Sequence, residues 1–289
     1  MNGKSKKKIL ILGSRGQIGS SLETYLKQKY IVKGIDILNG KNDDLRFQSN
    51  KIALSIKNVD FIFFLAFDVG GSRYMDKYQN TYTFIMNNLQ IMSNTFALLK
   101  KNKKKFIFAT SQMSNMSFSS YGILKKIGEN LTSSLGGLNV RFWNVYGYET
   151  DFEKSHVITD FILKSLKTNK INMLTDGNEE RDFLFIDDCC VGLEKIMIKY
   201  NKINKNEIID MSYGKFSKII KIAQIIKKNF FKKNIYIKIV KSKKKDNVQK
   251  NTRNIPNKKI NKYWRPKISL EEGINKLINF YLSQKKYCK

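Results

Sequence analysis

Acid is scarce in this chain of 289 residues: 24 Asp and Glu stand against 54 Lys and Arg, a formal net charge of +30 at pH 7. Proline occurs twice, histidine once and cysteine three times. Each shortage excludes something. Cys189 and Cys190 are neighbours, Cys288 stands far off, and no C-x-x-C spacing exists. Neither a disulfide framework nor a zinc site is suggested, and a reducing cytosol fits. No apolar segment approaches membrane-spanning length. The apolar run Ile9–Leu12 stops at Gly13, too short for a secretion signal. A cytoplasmic protein without a membrane partner is expected. The excess lysine reads as compositional drift in a chain rich in Lys, Asn and Ile. Dense basic runs such as Lys100–Lys105 and Lys241–Lys245 are usually solvated. A nucleic-acid partner is therefore not expected, although a basic surface would attract a phosphorylated substrate.

What is present is an alternation of short apolar strands and amphipathic helices. Lys8–Leu12 reads as a strand that runs into Gly13-Ser14-Arg15-Gly16-Gln17-Ile18-Gly19 and then a helical pattern at Leu22, Tyr25 and Leu26. Glycines so spaced between strand and helix let the backbone approach a pyrophosphate at a helix amino terminus. A second strand, Ile31–Ile37, carries Asp36, 23 residues beyond Gly13. An acid there accepts both adenosine ribose hydroxyls and repels a 2′-phosphate, which favours NAD over NADP. Arg15 is the counter-argument, because a guanidinium in this loop could bind that phosphate. Asp44-Leu45 could frame an adenine, and reads equally well as a plain loop acid and its neighbour. Further strands are expected at Asp60–Ala66, at Phe106–Ser111 and at Leu138–Phe142, with a long helix from about Thr81 to Lys101. Such alternation predicts a parallel sheet with helices on both faces, its ligands beyond the carboxyl ends of the strands.

The stretch Phe106–Lys126 holds the chemistry. A buried strand ends in Thr110-Ser111, and a helix starts at Ser119 or Ser120 with Glu129 further in. Tyr121 and Lys125 are i and i+4, so they share a helix face. Tyrosine titrates near ~10 in water, too high for a base at neutral pH, and a nearby ammonium is expected to lower that value. Ser111, Tyr121 and Lys125 together could move one proton.

Beyond Tyr148 the alternation loosens. A helix is expected from Ser155-His156-Val157-Ile158 to about Leu166, a short strand at Asn172–Leu174, and another strand after Gly177–Phe183. Asp187-Asp188 should cap a helix through Met197. Ile208–Met211, a helix Lys215–Phe230, a strand Ile235–Val240, a basic loop Lys241–Lys259 and a last helix Leu270–Tyr281 complete the reading. The fold class is α/β: a Rossmann-type doubly wound parallel sheet with a smaller mixed α/β substrate-binding region on the carboxyl-terminal side. Residues 1–147 would form the dinucleotide-binding domain, with about 183–212 returning to it, and 148–289 the smaller domain.

Taken together these residues resemble the extended short-chain dehydrogenase/reductases acting on nucleotide sugars, over nearly the whole chain. The likeness rests on the Gly13–Gly19 loop, Asp36, Asp44-Leu45, Leu65-Ala66, Asn88, Thr110-Ser111, Tyr121/Lys125, Arg141–Gly147, Arg181-Asp182-Phe183 with Asp187-Asp188, and Trp264-Arg265-Pro266 before Ser269–Gly273. The resemblance implies that Tyr121 is the acid/base, that Lys125 binds the nicotinamide ribose and tunes Tyr121, and that Ser111 hydrogen-bonds the reacting sugar oxygen. It places Leu65, Ala66, Asn88 and Ala109 against the cofactor. It places Gly71, Gln112, Asn144, His156 and Val157 against the sugar nucleotide, with Arg181 on its phosphates. A guanidinium suits phosphate oxygens, which it grips bidentately.

Leu65–Gly71 followed by Asn87-Asn88 looks like GDP-mannose 3,5-epimerase, and Ser155–Ile158 looks like GDP-fucose synthase, so a GDP-linked hexose or heptose is implied. Those 3,5-epimerases carry an acid/base cysteine two residues after the serine. Here Met113 stands there and cannot transfer a proton. Dehydratases place an Asp-Glu pair after the threonine; here Ser111-Gln112 follows Thr110. Hydride transfer at C4 remains, as a 4-dehydrogenase or 4-epimerase, with an NADPH-dependent 4-ketoreductase as the alternative. A non-catalytic basic nucleic-acid-binding or redox-sensing protein is the reading from another class, and the intact Ser111/Tyr121/Lys125 set argues against it. The resemblance also implies a homodimer through the helices near Tyr82–Lys100 and Ser120–Ser134, and a place in surface-polysaccharide biosynthesis. Ser111 and Tyr121 lie only ten residues apart, closer than in most extended members, which implies a more open sugar pocket.

Overall fold

The computed structural model describes residues 6–149, 151–246, 248–249 and 254–284. In chain order the amino-terminal part runs β1 (Lys8–Leu12), α1 (Gln17–Lys27), β2 (Ile31–Ile35), α2 (Asn50–Lys57), β3 (Phe61–Phe64), α3 (Ser72–Tyr78), α4 (Tyr82–Lys101), β4 (Phe106–Ser111), α5 (Ser120–Ser134) and β5 (Leu138–Phe142). There follow β6 (Asn144–Tyr146), α6 (Val157–Thr168), β7 (Lys170–Asn172), β8 (Glu180–Phe185), α7 (Ile186–Lys199), β9 (Ile208–Met211), β10 (Phe216–Lys218), α8 (Ile219–Phe231), β11 (Lys238–Val240) and α9 (Leu270–Ser283).

Six strands form one parallel sheet in the order β2-β1-β3-β4-β5-β9. Strands β1, β3, β4 and β5 are buried on both faces and largely apolar, whereas the edge strand β2 is partly exposed. Alternate side chains feed two cores: Ile9, Ile11, Phe61 and Phe63 one, Leu10, Leu12, Ile62 and Phe64 the other. In-phase register aligns the carboxyl ends: Leu12 sits opposite Ile35 and Phe64, and Ser111 opposite Phe142. The expected doubly wound α/β fold is therefore what the chain adopts. A smaller sheet, β10-β8-β6, and a pair, β11-β7, lie beside it.

Several boundaries differ from the sequence reading. β2 ends at Ile35 because Asp36 turns outward to cap a 3-10 turn through the Leu38 amide. β3 stops at Phe64, where the chain passes so close to Gly13 that a Cβ there would lie 2.7 Å from Ala66. The expected helix Lys215–Phe230 begins instead as strand β10, pairing antiparallel with β8, and turns helical only at Ile219. The buried Asp182 carboxylate dictates this, accepting the Tyr213 and Gly214 amides at 2.7 and 2.6 Å, with Gly214 at φ +85°. The strand expected at Asn172–Leu174 lies at Lys170–Asn172, set by Asn169 in the left-handed conformation at the end of α6. The last strand spans only Lys238–Val240.

Asp187 and Asp188 sit in the first turn of α7 and cap nothing. Asp188 instead accepts the Lys267 and Ile268 amides, each at 2.7 Å, and pins the segment after Trp264 to the core. Cys189 and Cys190 are free and buried, with burial pushing both thiols up; Cys288 lies outside the described residues. Replacing Asp188 leaves two backbone donors without their carboxylate. Asp188→Ala should cost about 2–4 kcal/mol in urea unfolding, and a loss below about 0.5 kcal/mol would show that the segment docks by apolar contact alone.

Candidate active site

A cavity of about 630 Å³ opens along the carboxyl ends of the parallel strands. Gly13, Arg15, Gly16, Gln17, Ile18, Gly19, Asp36, Asp44, Leu45, Leu65, Ala66, Gly71, Ala109, Ser111, Tyr121, Lys125, Asn144 and His156, all anticipated from sequence, line it. Asn88, Gln112, Val157 and Arg181 do not line it. Asn88 is fully buried behind the wall, where it accepts the Asp68 amide at 2.7 Å and donates to the Asp68 and Phe84 carbonyls. Gln112 accepts from Asn254 at 2.8 Å, and Arg181 pairs with Asp246. Val157 opens α6 beside His156.

At one end the glycine loop turns at Gly13, φ +86°, into the amino terminus of α1. A Cβ on Gly19 would lie 2.0 Å from the Gly13 carbonyl, so that glycine is required for packing. A Cβ on Gly16 would meet only the Gly13 carbonyl, at 3.5 Å, and would otherwise project into open space. Gly16 thus leaves room for a ligand against bare amides at a helix start, as a dinucleotide pyrophosphate requires. Asp36 is fixed by the Arg15 amide at 2.9 Å and the Leu38 amide at 3.0 Å. The Arg15 guanidinium reaches past it to Asn39 and lies 3.9 Å from Glu23. Asp44 is gripped by Arg46 at 2.7 Å, and that guanidinium holds its carboxyl below the usual range.

In the middle of the cavity stand Ser111, Tyr121 and Lys125. Ser119 caps α5 by accepting the Gly122 amide, which fixes where the helix begins. Ser111 ends β4, accepts the Met113 amide at 3.2 Å, and hydrogen-bonds the Tyr121 phenol. Lys125, 3% exposed, donates to the Ala109 carbonyl at 2.6 Å. Burial pushes the Tyr121 phenol up to about 12, opposed by the Ser111 bond. The expected depression by Lys125 is not what this geometry produces. The ammonium is turned to the Ala109 carbonyl and lies 5.7 Å from the Tyr121 ring centre. Burial holds the Lys125 ammonium well below its ordinary value, with the Glu129 charge acting in the opposite sense.

Three further acids were not anticipated as site residues. Asp68 accepts Tyr74 at 2.6 Å, Asn87 at 3.2 Å and Lys154 at 3.3 Å along the cavity wall. Glu129, 1% exposed, collects Thr110, Ser114 and Arg141. Glu149, 6% exposed, accepts the His156 amide and sits 2.6 Å from its Nδ1. That last pair is a lone histidine seven residues after an acid, and no spacing rule singles it out.

The cavity thus joins a Rossmann-type glycine loop at one end to a phenol, an ammonium and a hydroxyl beside it. The chain belongs to the NAD dependent epimerase/dehydratase family, whose profile matches residues 9–212. A putative UDP-glucose 4-epimerase of Methanocaldococcus jannaschii is 33% identical over 172 residues, 56% of this chain and 53% of that protein. An uncharacterized UDP-glucose epimerase of Bacillus subtilis is 26% identical over 261 residues, 76% of this chain and 81% of that one. Among solved structures, a GDP-6-OMe-4-keto-L-xylo-heptose reductase from C. jejuni superposes with a TM-score of 0.80 at 18% identity, covering 98% of this chain and 99% of that chain. No helix among the described residues is long and apolar enough to cross a membrane.

The single histidine gives a clean probe of the far wall. Burial lowers the His156 pKa, and the Glu149 carboxylate more than offsets this, leaving it above 6.5. The pair therefore stabilises the fold fully below about 6.5 and loses that contribution as pH rises through the folded value. An NMR titration should place His156 above 6.5, and Glu149→Gln should move it down. An unchanged midpoint in that variant would mean the contact is absent in solution.

Proposed function

We propose that the protein is an NAD-dependent oxidoreductase acting at C4 of a nucleotide-linked sugar, a GDP-hexose or GDP-heptose, as a 4-dehydrogenase or as a 4-epimerase through a 4-keto sugar. The observation that carries this reading is the meeting of Ser111, Tyr121 and Lys125 on the wall of a cavity that also contains the glycine loop and Asp36. The bound dinucleotide would supply the hydride acceptor. The remaining work falls to this chain. Gly13–Gly19 would hold the pyrophosphate on free amides, and Asp36, held as a fixed anion, would accept the ribose hydroxyls and disfavour a 2′-phosphate. A 4-ketoreductase drawing on NADPH is the second reading. It is kept open by the half-exposed Arg15 guanidinium beside Asp36.

Ser111 would hold the sugar C4 oxygen and Tyr121 would take its proton. With a pKa near 12, Tyr121 keeps its own proton at neutral pH and becomes a base only as positive charge moves towards it. Lys125, 5.7 Å from the Tyr121 ring centre, is the cation that would make that move. The elements after Tyr148 would hold the nucleotide sugar, with Asn144, Gly71 and His156 nearest to it. Arg181 would reach the diphosphate only by exchanging Asp246 for it. The GDP assignment rests on the likeness of Leu65–Gly71 and Ser155–Ile158. A cytoplasmic homodimer is part of the same proposal, supported by the exposed apolar side chains Tyr82 on α4 and Ile123, Ile127 and Leu131 on α5.

Tyr121→Phe removes the proton acceptor and little volume. Turnover of the sugar nucleotide should fall by about 10²–10⁴-fold, while dinucleotide affinity, read by fluorescence quenching, stays the same. Undiminished turnover would refute the assignment.

A further inference from the structure

Lys125 is buried with no carboxylate at ion-pair distance among the described residues, and its ammonium makes one hydrogen bond, to the Ala109 carbonyl at 2.6 Å. Isolating a charge in this way is costly unless something replaces the lost water. The titratable groups facing it are Tyr121 and Glu129 on its own helix. Glu129 is already engaged by Lys126 at 3.2 Å and by Arg141 at 2.9 Å, and Arg141 in turn lies 4.0 Å from Asp210. Aromatic rings take over the remaining solvation. The Nζ lies 3.6 Å from the ring centre of Phe67, 5.0 Å from that of Phe108 and 5.7 Å from that of Tyr121. Phe108 belongs to the core stack with Phe64 and Phe96. Phe67 does not. It follows Leu65-Ala66 on the loop leaving β3, lines the cavity, and sets its edge against Tyr121 at 5.7 Å and 77°.

We propose that Phe67 is a positioning residue: its ring carries the Lys125 ammonium in the buried site and holds both Lys125 and Tyr121 in their places on the cavity wall. The inference rests on the roles assigned above to Tyr121 and Lys125, but its geometry does not. A cation on the face of a desolvated ring gains enough to keep a buried amine protonated about one pH unit higher than an aliphatic neighbour would. Phe67 and Lys125 both line the cavity, so a rearrangement of this one ring would free Lys125 to turn towards the phenol.

The test needs no substrate. Trace acetylation of the protein across a pH series, read by mass spectrometry at Lys125, gives the midpoint of that amine independently of how accessible it is. Phe67→Leu keeps the apolar bulk and removes the ring face; its midpoint should fall by about one pH unit. Phe67→Trp should restore the wild-type midpoint. Equal midpoints in all three proteins, or a fall in both variants, would overturn the proposal. Should sugar oxidation prove wrong while the midpoints move as stated, this inference survives and the functional reading fails. Where turnover is measured, the acid limb of kcat/KM should shift in Phe67→Leu and not in Phe67→Trp.

Discussion

Glu129 is the interaction on which the site depends. It lies on α5 four residues beyond Lys125 and eight beyond Tyr121, so all three share one face of the helix. Its carboxylate, almost wholly removed from water, accepts Thr110 at 2.9 Å, Ser114 at 2.7 Å and Arg141 at 2.9 Å. Those donors come from the end of β4, the turn after it and β5. One anion therefore sets the rotation and height of α5 against two strands. A buried carboxylate is tolerable only when its oxygens are satisfied this fully. The same bonds that satisfy it aim Tyr121 at Ser111.

The sheet performs the complementary task. Parallel strands in common phase end together, so the glycine loop after β1, Asp36 after β2, Phe67 after β3 and Ser111 at the end of β4 face one cavity without any contact between them in sequence. In the proposed reaction α5 would carry Tyr121 and Lys125, β4 would carry Ser111, and loops and the carboxyl-terminal elements would meet the ligands.

How much of this was legible in the sequence follows from how local each signal is. The glycine loop, the apolar strands and the i, i+4 pair Tyr121/Lys125 are short-range patterns; the fold followed from them, and the structure brings the loop and the pair to one cavity. β10 was misread as helix because its strand character comes from Asp182, more than thirty residues away, and not from its own lysine-rich composition. Asp188 looked like a cap and is a tether for Lys267 and Ile268. Arg181 matched a phosphate ligand, yet its partner in the structure is Asp246, which no spacing rule connects to it. The expectation that Lys125 lowers Tyr121 assumed that proximity fixes orientation. The Ala109 carbonyl and the Phe67 ring orient the ammonium otherwise.

The account stands or falls on hydride leaving C4 of a nucleotide sugar beside Tyr121. The direct measurement is to incubate the purified protein and NAD with GDP- and UDP-sugars deuterated at C4 and to follow the label. The account predicts deuterium on the nicotinamide C4 for at least one GDP-sugar, either retained in free reduced cofactor or returned to the sugar with inverted configuration. A protein that binds the dinucleotide and the sugar yet never moves the label would contradict it.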